Sequence, residues 1–299
     1  NVHFLVEQSG RYRGNYYLQF NGTAGVWRKK TILDAGNWKD DTLTEDLDLS
    51  YRSQLKGWKI VYLNHVGSPA ELPVEMNGLK SQQYRWMKGG AETAVKILPR
   101  LWRSSSSLTQ KIQGSIHLLS SSIFLFIFLS ALCSVPMLIF MSFRGISADF
   151  LIIFLAATLS IVVVYYSANV LQYKRALKKR SQKAMEFVGM FPLFLTLSMG
   201  LSLHNSIAVW HGLRGRRTSF VRTPKYNIRN KKDSFTGHPY LSQRIPASTK
   251  IELILAIFFL AAAYYGWHTE YMAFFVFHIL LSLGFGGIAF FSIKHVIHK

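Results

Sequence analysis

The sequence predicts a mixed α/β lobe over residues 1–110, joined to an all-α membrane bundle over residues 111–299. Three observations carry that reading. Long apolar runs without formal charge dominate after residue 112. Before it, short alternating runs and amphipathic stretches, separated by Gly and Pro, read as strands and helices. The Lys and Arg residues, 35 against 15 Asp and Glu, gather at the ends of the apolar runs, where a membrane protein keeps its cytoplasmic charge. A net charge of +20 would also fit a nucleic-acid binder, but this placement does not, and no nucleic-acid partner is expected. The one cysteine, Cys133, lies inside an apolar run. That excludes an intramolecular disulfide framework and a cysteine-based zinc site.

In the lobe, the apolar runs Val2–Val6 and Tyr16–Phe20 read as strands. Asn21-Gly22-Thr23-Ala24-Gly25 then places two glycines where the backbone must bend or come close to something. A plain strand-to-helix turn would use the same residues. Lys29 to Ala35 reads as a short helix stopped by Gly36. Thr42 and Glu45 have capping-box spacing, so a helix is expected from residues 42–44 to Lys56, with Gly57 as its stop. Leu47, Tyr51 and Leu55 form its apolar face. Asp46 falls in its first turn, where the positive end of the helix dipole favours the ionised carboxylate. Trp58–Leu63 alternates like a third strand. Pro69 and Pro73 break the chain before a helix from Met76 to Leu98, and Pro99, Arg100, Arg103 and the serines 104–107 read as a linker. The chain begins in what reads as mid-domain, without a basic-then-apolar leader, so N-terminal truncation is expected.

Crossing a bilayer core takes about 20 apolar residues. Spans are therefore expected at about 113–143, 150–173, 251–269 and 271–293. The run near 185–213 creates a conflict. If it crossed too, the strongly basic stretch 214–250 would face outward, against the positive-inside rule. Pro192, Gly200, His204, Asn205, His211 and Gly212 also make it a poor span. It is read as a bent interfacial or re-entrant helix on the cytoplasmic side. That leaves four spans, with the lobe and every basic region inside, in a bacterial inner membrane.

Two stretches carry chemistry. Thr44-Glu45-Asp46 puts carboxylates at a helix start, although acidic residues there commonly only complement the dipole. Gln82, Arg85 and Trp86 share a helical face. They would suit an anionic phosphate beside a stacking surface for a sugar. They would equally suit a solvated basic face at a membrane.

In order and with the spans behind them, these stretches resemble the processive family 2 membrane glycosyltransferases, the group of cellulose, hyaluronan and mannan synthases. The likeness covers most of the chain in outline and is densest from Phe20 to Trp86, through FNGTAGVWR, TED, LKGWK and QQYRW. That region is similar above all to glucomannan and mannan synthases and their bacterial relatives. Phe220-Val221-Arg222-Thr223-Pro224-Lys225 is similar to the family's gating loop, with Arg222 in place of a valine.

The resemblance implies a partial GT-A domain, the nucleotide-diphospho-sugar transferase fold, over 1–110 and a gating loop within 214–250. It implies that Asp46 is the general base, flanked by Thr44 and Glu45. Asn21, Gly22, Thr23 and Trp86 hold the acceptor. Glu45, Gln82, Arg85, Phe220, Thr223 and Lys225 serve the donor and its diphosphate. The implied activity is inverting β-transfer, β-1,4-glucan or mannan type, from a UDP- or GDP-linked sugar to a polysaccharide passed through the bilayer.

The family's aspartate metal motif has no counterpart here. Asp46-Leu47-Asp48 has the spacing but belongs to the acidic helix. The ligands of Mg2+ or Mn2+ are therefore expected mainly in the missing N-terminal half, with no metal site in these residues. The 299 residues alone are not expected to turn over. Two rivals remain open: a non-processive enzyme that glycosylates a lipid, and a membrane scaffold or transporter with a degenerate transferase domain.

Overall fold

The computed structural model describes residues 2–147, 152–171, 179–228 and 245–297, of which 152–158 and 297 as backbone only. A π-helical stretch, His3–Gln8, leads into α1, Ser9–Arg13. The lobe continues with α2, Lys29–Asp34, α3, Glu45–Leu55, α4, Met76–Arg103, and α5, Leu108–Leu118. A short 3-10 turn, Ser120–Ser122, opens α6, Ile123–Arg144. Helix α7, Ile152–Tyr166, ends in a π-helical stretch, Ser167–Leu171. Then come α8, Arg180–Gly200, α9, Ser202–Leu213, α10, Ser248–His268, and α11, Met272–Ile297.

The described residues contain no β-strand. Val2–Val6 is helical; a five-residue apolar run carries no periodicity that separates strand from helix. Residues 16–21 and 58–63 belong to neither helix nor strand. The first of these stretches is held in an unusual way. Leu18 N–H donates to Gln54 Oε1 at 2.9 Å, and Gln54 Nε2 returns a bond to the Leu18 carbonyl at 2.7 Å. Phe20 N–H donates to Ser50 Oγ at 2.8 Å, and Gly22 N–H to Asp46 Oδ2 at 2.8 Å. Every second residue of an extended chain advances about 6.6 Å, and every fourth residue of a helix about 6.0 Å. The two rows therefore stay in step, and a polar column on α3 does the work of a partner strand.

Helix α3 packs by its other faces. Leu47 and Tyr51 join Tyr17, Ala94, Ile97, Leu101 and Leu118 in one core, each large side chain stabilising by roughly 1.5–3 kcal/mol. The capping box expected of Thr42 and Glu45 does not form. Thr44 is the N-cap, without a side-chain cap bond, because its hydroxyl faces Thr93 Oγ1 at 3.1 Å. Helix α4 does not stop before Pro99; it runs through to Arg103. The carbonyl of Val95 that proline leaves without a donor belongs to a half-exposed residue.

Among the described residues three helices are long and apolar enough to cross a bilayer, Ser120–Arg144, Ser248–His268 and Met272–Val296, and the bent pair α8–α9 would make a fourth if it crosses as one. The expected first span, 113–143, is thus two elements. Gly114 packs against Leu101 and Tyr17, and His117 and Leu118 are buried, so α5 belongs to the lobe. The described apolar helix Leu159–Leu171 is shorter than a full crossing. The start expected for that span, with Asp149 and Phe150, lies outside the described residues, as do Lys174, Arg175, Lys178 and loop residues 229–244. Helices α8 and α9 are bent by 48° at their junction, where Gly200 lies against Gly284 of α11 with no room for a side chain.

The lobe and the bundle are joined through α4. Lys80 Nζ meets Glu252 of α10 at 2.7 Å, both buried. Met76 N–H donates to His295 Nδ1 at 3.0 Å, and His204 of α9 bonds the Lys80 carbonyl at 2.8 Å. Glu252, near the start of the expected span 251–269, lies in the second turn of α10 and is buried in its pair with Lys80.

Candidate active site

The site grows from the junction of α3 and α4. Gly89 of α4 abuts the start of α3: a Cβ on it would lie 2.7 Å from Thr44 Cγ2 and 2.8 Å from Thr44 N. Only glycine lets the helices approach this closely. The approach is pinned by Glu92, which accepts from Leu43 N–H at 2.9 Å and pairs with Lys88 at 2.5 Å. Arg85 and Trp86, one turn before Gly89, are thereby carried alongside the first turn of α3.

Asp46 is the last acceptor of the α3 polar column. Its Oδ2 takes the Gly22 N–H, and its Oδ1 takes the Leu47 N–H at 2.8 Å. Gly22 adopts φ +58° with open space where a Cβ would be, a conformation that aims its N–H at the carboxylate and leaves the loop surface free. Burial pushes the Asp46 carboxyl above the ordinary range. The two backbone N–H groups oppose this, and Glu45 adds to it. The helix dipole, expected to favour the ionised form, is thus opposed by the loss of water around the carboxylate.

Arg85 faces this pair. Its charge acts on Glu45 and Asp46, while burial lowers its own basicity. Its Nη1 donates to the Val221 carbonyl at 3.1 Å, and its guanidinium lies 4.7 Å from the centre of the Phe220 ring. Trp86, beside it, is 46% exposed, and Gln82, one turn earlier, is half-buried. Asn21 Oδ1 bonds His3 Nε2 at 2.9 Å, and Thr23 lies exposed on the same turn.

The structure therefore groups Gly22, Glu45, Asp46, Arg85 and Phe220, with Trp86 next to them. The Lys225 ammonium is engaged by the Glu71 carbonyl. Glu71 Oε1 also accepts from Tyr226 N–H at 2.7 Å and Asn227 N–H at 3.1 Å. Thr223 Oγ1 is buried without a partner among the described residues. Glu71 escapes sequence reasoning because it stands alone in a proline-broken stretch. The aromatic row Phe20, Trp27 and Trp38, with centroids 5.0 and 5.9 Å apart, escapes as well, although FNGTAGVWR contains its first two members.

Asp48, two residues from Asp46, is fully buried. It is closed by Arg52 at 2.8 Å and Lys96 at 2.9 Å. Among the described residues no three His, Cys, Asp or Glu side chains are grouped to hold a metal ion. The residues described do not fit a divalent-ion site.

Residues 3–165 match the family described as glycosyl transferase family group 2, over half of the chain. Among curated proteins, glucomannan 4-beta-mannosyltransferase 1 of Oryza sativa subsp. japonica is 44% identical over 104 residues, 35% of this chain and 20% of that protein. Probable glucomannan 4-beta-mannosyltransferase 3 of the same plant is 46% identical over 97 residues, 32% of this chain and 18% of that protein. Probable glucomannan 4-beta-mannosyltransferase 10 of Arabidopsis thaliana is 40% identical over 104 residues, 35% of this chain and 19% of that protein. The chain spans about a fifth of the length of these relatives. No solved structure matches it. By the match across residues 3–165, the chain belongs to glycosyl transferase family group 2.

Proposed function

We propose that this chain carries the acceptor side of an inverting β-mannosyl- or β-glucosyltransferase, whose whole protein builds a β-1,4-linked polysaccharide and passes it across the bilayer. The observation that carries the proposal is the meeting of Asp46, Gly22 and Arg85 with Phe220 and Val221 of the basic loop. Asp46 takes the proton of an acceptor hydroxyl. The freed oxygen bonds the anomeric carbon of the donor sugar from the opposite face, and the nucleoside diphosphate leaves with the electron pair. A carboxyl held above its ordinary range is a better base than a free one at neutral pH. Gly22 N–H fixes its orientation.

Arg85 supplies positive charge where the diphosphate gains negative charge. Trp86 offers its exposed indole to the acceptor sugar. Asn21 and Thr23 border the acceptor, and Gln82 supports the diphosphate side. Phe220, Thr223 and Lys225 close over a UDP- or GDP-linked donor. Lys225 must leave Glu71 to do so. The Mg2+ or Mn2+ common to such enzymes takes its ligands from elsewhere in the whole protein.

Residues 1–110 are proposed to complete an α/β GT-A domain. The extended stretch 16–21, tied on one side to α3, is available for a strand on the other. The lobe is placed on the cytoplasmic side. Helix α9 packs along α4 and delivers Arg214, Arg216 and Arg217 beside the lobe: Gly212 abuts Lys88, and Tyr84 meets His211 at 2.7 Å. The positive-inside rule puts that side in the cytoplasm.

The experiment is incorporation of labelled sugar by the full-length protein in vesicles, across a panel of UDP- and GDP-linked hexoses. The expected product is a polymer. A single-sugar glycolipid would sink the processive reading, and donor binding without transfer would favour a scaffold.

A further inference from the structure

Residues 112–119 read in the sequence as the first turns of a span, yet the structure lays them on the lobe surface. Helix α5 buries Gly114, His117 and Leu118 against the lobe core and turns Leu108, Ile112, Ile116 and Leu119 outward. Their spacing of 4, 4 and 3 residues makes one stripe. Trp102 of α4 extends it: the indole is half-exposed, and its N–H donates to Ser115 Oγ at 3.0 Å, between Ile112 and Ile116. Such a contiguous apolar face is unusual on a soluble surface. It leads, through Ser120–Ser122, directly into exposed Ile123 and Phe126 of span α6.

Where α4 ends, with Arg103 following Trp102 in the chain, the C-terminal ends of α3 and α4 form a groove of about 260 Å³, whose lining includes Lys56, Arg100, Arg103 and Ser104. Lys56, Arg100 and Arg103 are exposed and have no acidic partner among the described residues. The fourth cation of the lining, Arg52, is already engaged by Asp48 and the carbonyls of Ala35 and Asn37. Three unpaired cations next to an apolar stripe continuous with a span match the two layers of a lipid interface, anionic headgroup and acyl chain.

We propose that α5 is an interfacial anchor: Trp102, Ile112 and Ile116 enter the acyl boundary, and Lys56, Arg100 and Arg103 hold the headgroup of an anionic phospholipid. The lobe is thereby fixed at a set height and tilt over the bilayer. The inference rests on α6 as a span and not on sugar transfer.

The test uses the full-length protein with every native cysteine, Cys133 included, replaced by serine, and with single cysteines introduced at Ile112, Ile116 or Phe126 and labelled with an environment-sensitive fluorophore. Each is reconstituted in vesicles of phosphatidylcholine and phosphatidylglycerol, with bromine on the acyl chains of one lipid or the other. The expected result is quenching at 112 and 116 as well as at 126. At 112 and 116, brominated phosphatidylglycerol quenches more strongly than brominated phosphatidylcholine. Each cation contributes a roughly fivefold preference for an anionic surface, so K56Q/R100Q/R103Q should remove that difference, while K29Q/K30Q on α2 keeps it. Quenching at 126 alone would overturn the anchor, whether water or another protein segment covers the stripe. Equal quenching by both lipids in the unsubstituted groove would overturn the headgroup assignment.

Discussion

Asp46 and Asp48 stand two residues apart on one helix, and their surroundings differ in kind. Asp48 is sealed between Arg52 and Lys96, with no surface exposed. Asp46 is held by two backbone N–H groups, faces a cation across a gap, and keeps part of its carboxyl open. The first arrangement fixes the fold: two positive side chains converge on one buried negative charge. The second leaves a carboxylate oriented and partly dehydrated but not neutralised, which is what proton abstraction requires. The same residue type reads as structural or reactive according to whether its partners are charged side chains or backbone dipoles.

That contrast is broken most forcefully on the structural side. Asp48→Ala should cost about 3 kcal/mol of stability by leaving the buried Arg52 without its carboxylate, while Lys96 keeps Asp41. The loss would show as a lower melting temperature of the full-length protein and, once folded protein is counted, a near-normal rate per folded molecule. Arg85→Leu should do the reverse. Turnover should fall by about 10²–10³, the scale of removing one preorganised charge-stabilising donor, with little change in melting. Trp86→Ala is expected to be milder. Loss of a stacking surface of about 0.5–1.5 kcal/mol should raise the acceptor KM several-fold and shorten the product, with donor KM unchanged.

Acidification sharpens the same comparison. His117, bonded to Tyr51 at 2.7 Å, has a pKa lowered to about 3 by burial and by the nearby Arg11. Below 6.5 the unfolded chain takes a proton that the folded lobe refuses. Stability present above 6.5 is therefore lost as pH falls toward 3, by at most about 1.4 kcal/mol per pH unit. His117→Gln should flatten that slope in pH-dependent melting. On the proposed assignment, activity should answer to Asp46 instead. Its carboxyl is raised, so the acid limb of kcat/KM should lie above the ordinary carboxylate range.

Much of this was legible in residues. The presence of α3 with glycine just past its end, the start of α4 at Met76 and the final hairpin α10–α11 follow from periodicity, glycine and proline punctuation and apolar length. The break between α5 and α6 was hidden. An apolar run does not say whether it faces lipid or a lobe core, and the serines 120–122 were the one local sign. The extended stretch 16–21 was legible as extended but not its partner. The column Asp46, Ser50, Gln54 repeats every four residues in plain view, yet nothing local says that a backbone will zip onto it. Arg85 with Phe220 and Glu71 with Lys225 are separated by over a hundred residues, and such contacts exist only once the fold is made.

The measurement that bears most directly on the account is kcat/KM for sugar transfer by full-length Asp46→Asn, beside the unsubstituted protein with matched melting temperatures. The substitution keeps an acceptor oxygen for Gly22 and removes the base. A loss of at least about 10² in rate, without loss of stability, is predicted. Turnover within a few-fold of the unsubstituted protein would contradict the assignment of Asp46 and, with it, the reading of this junction as an active site.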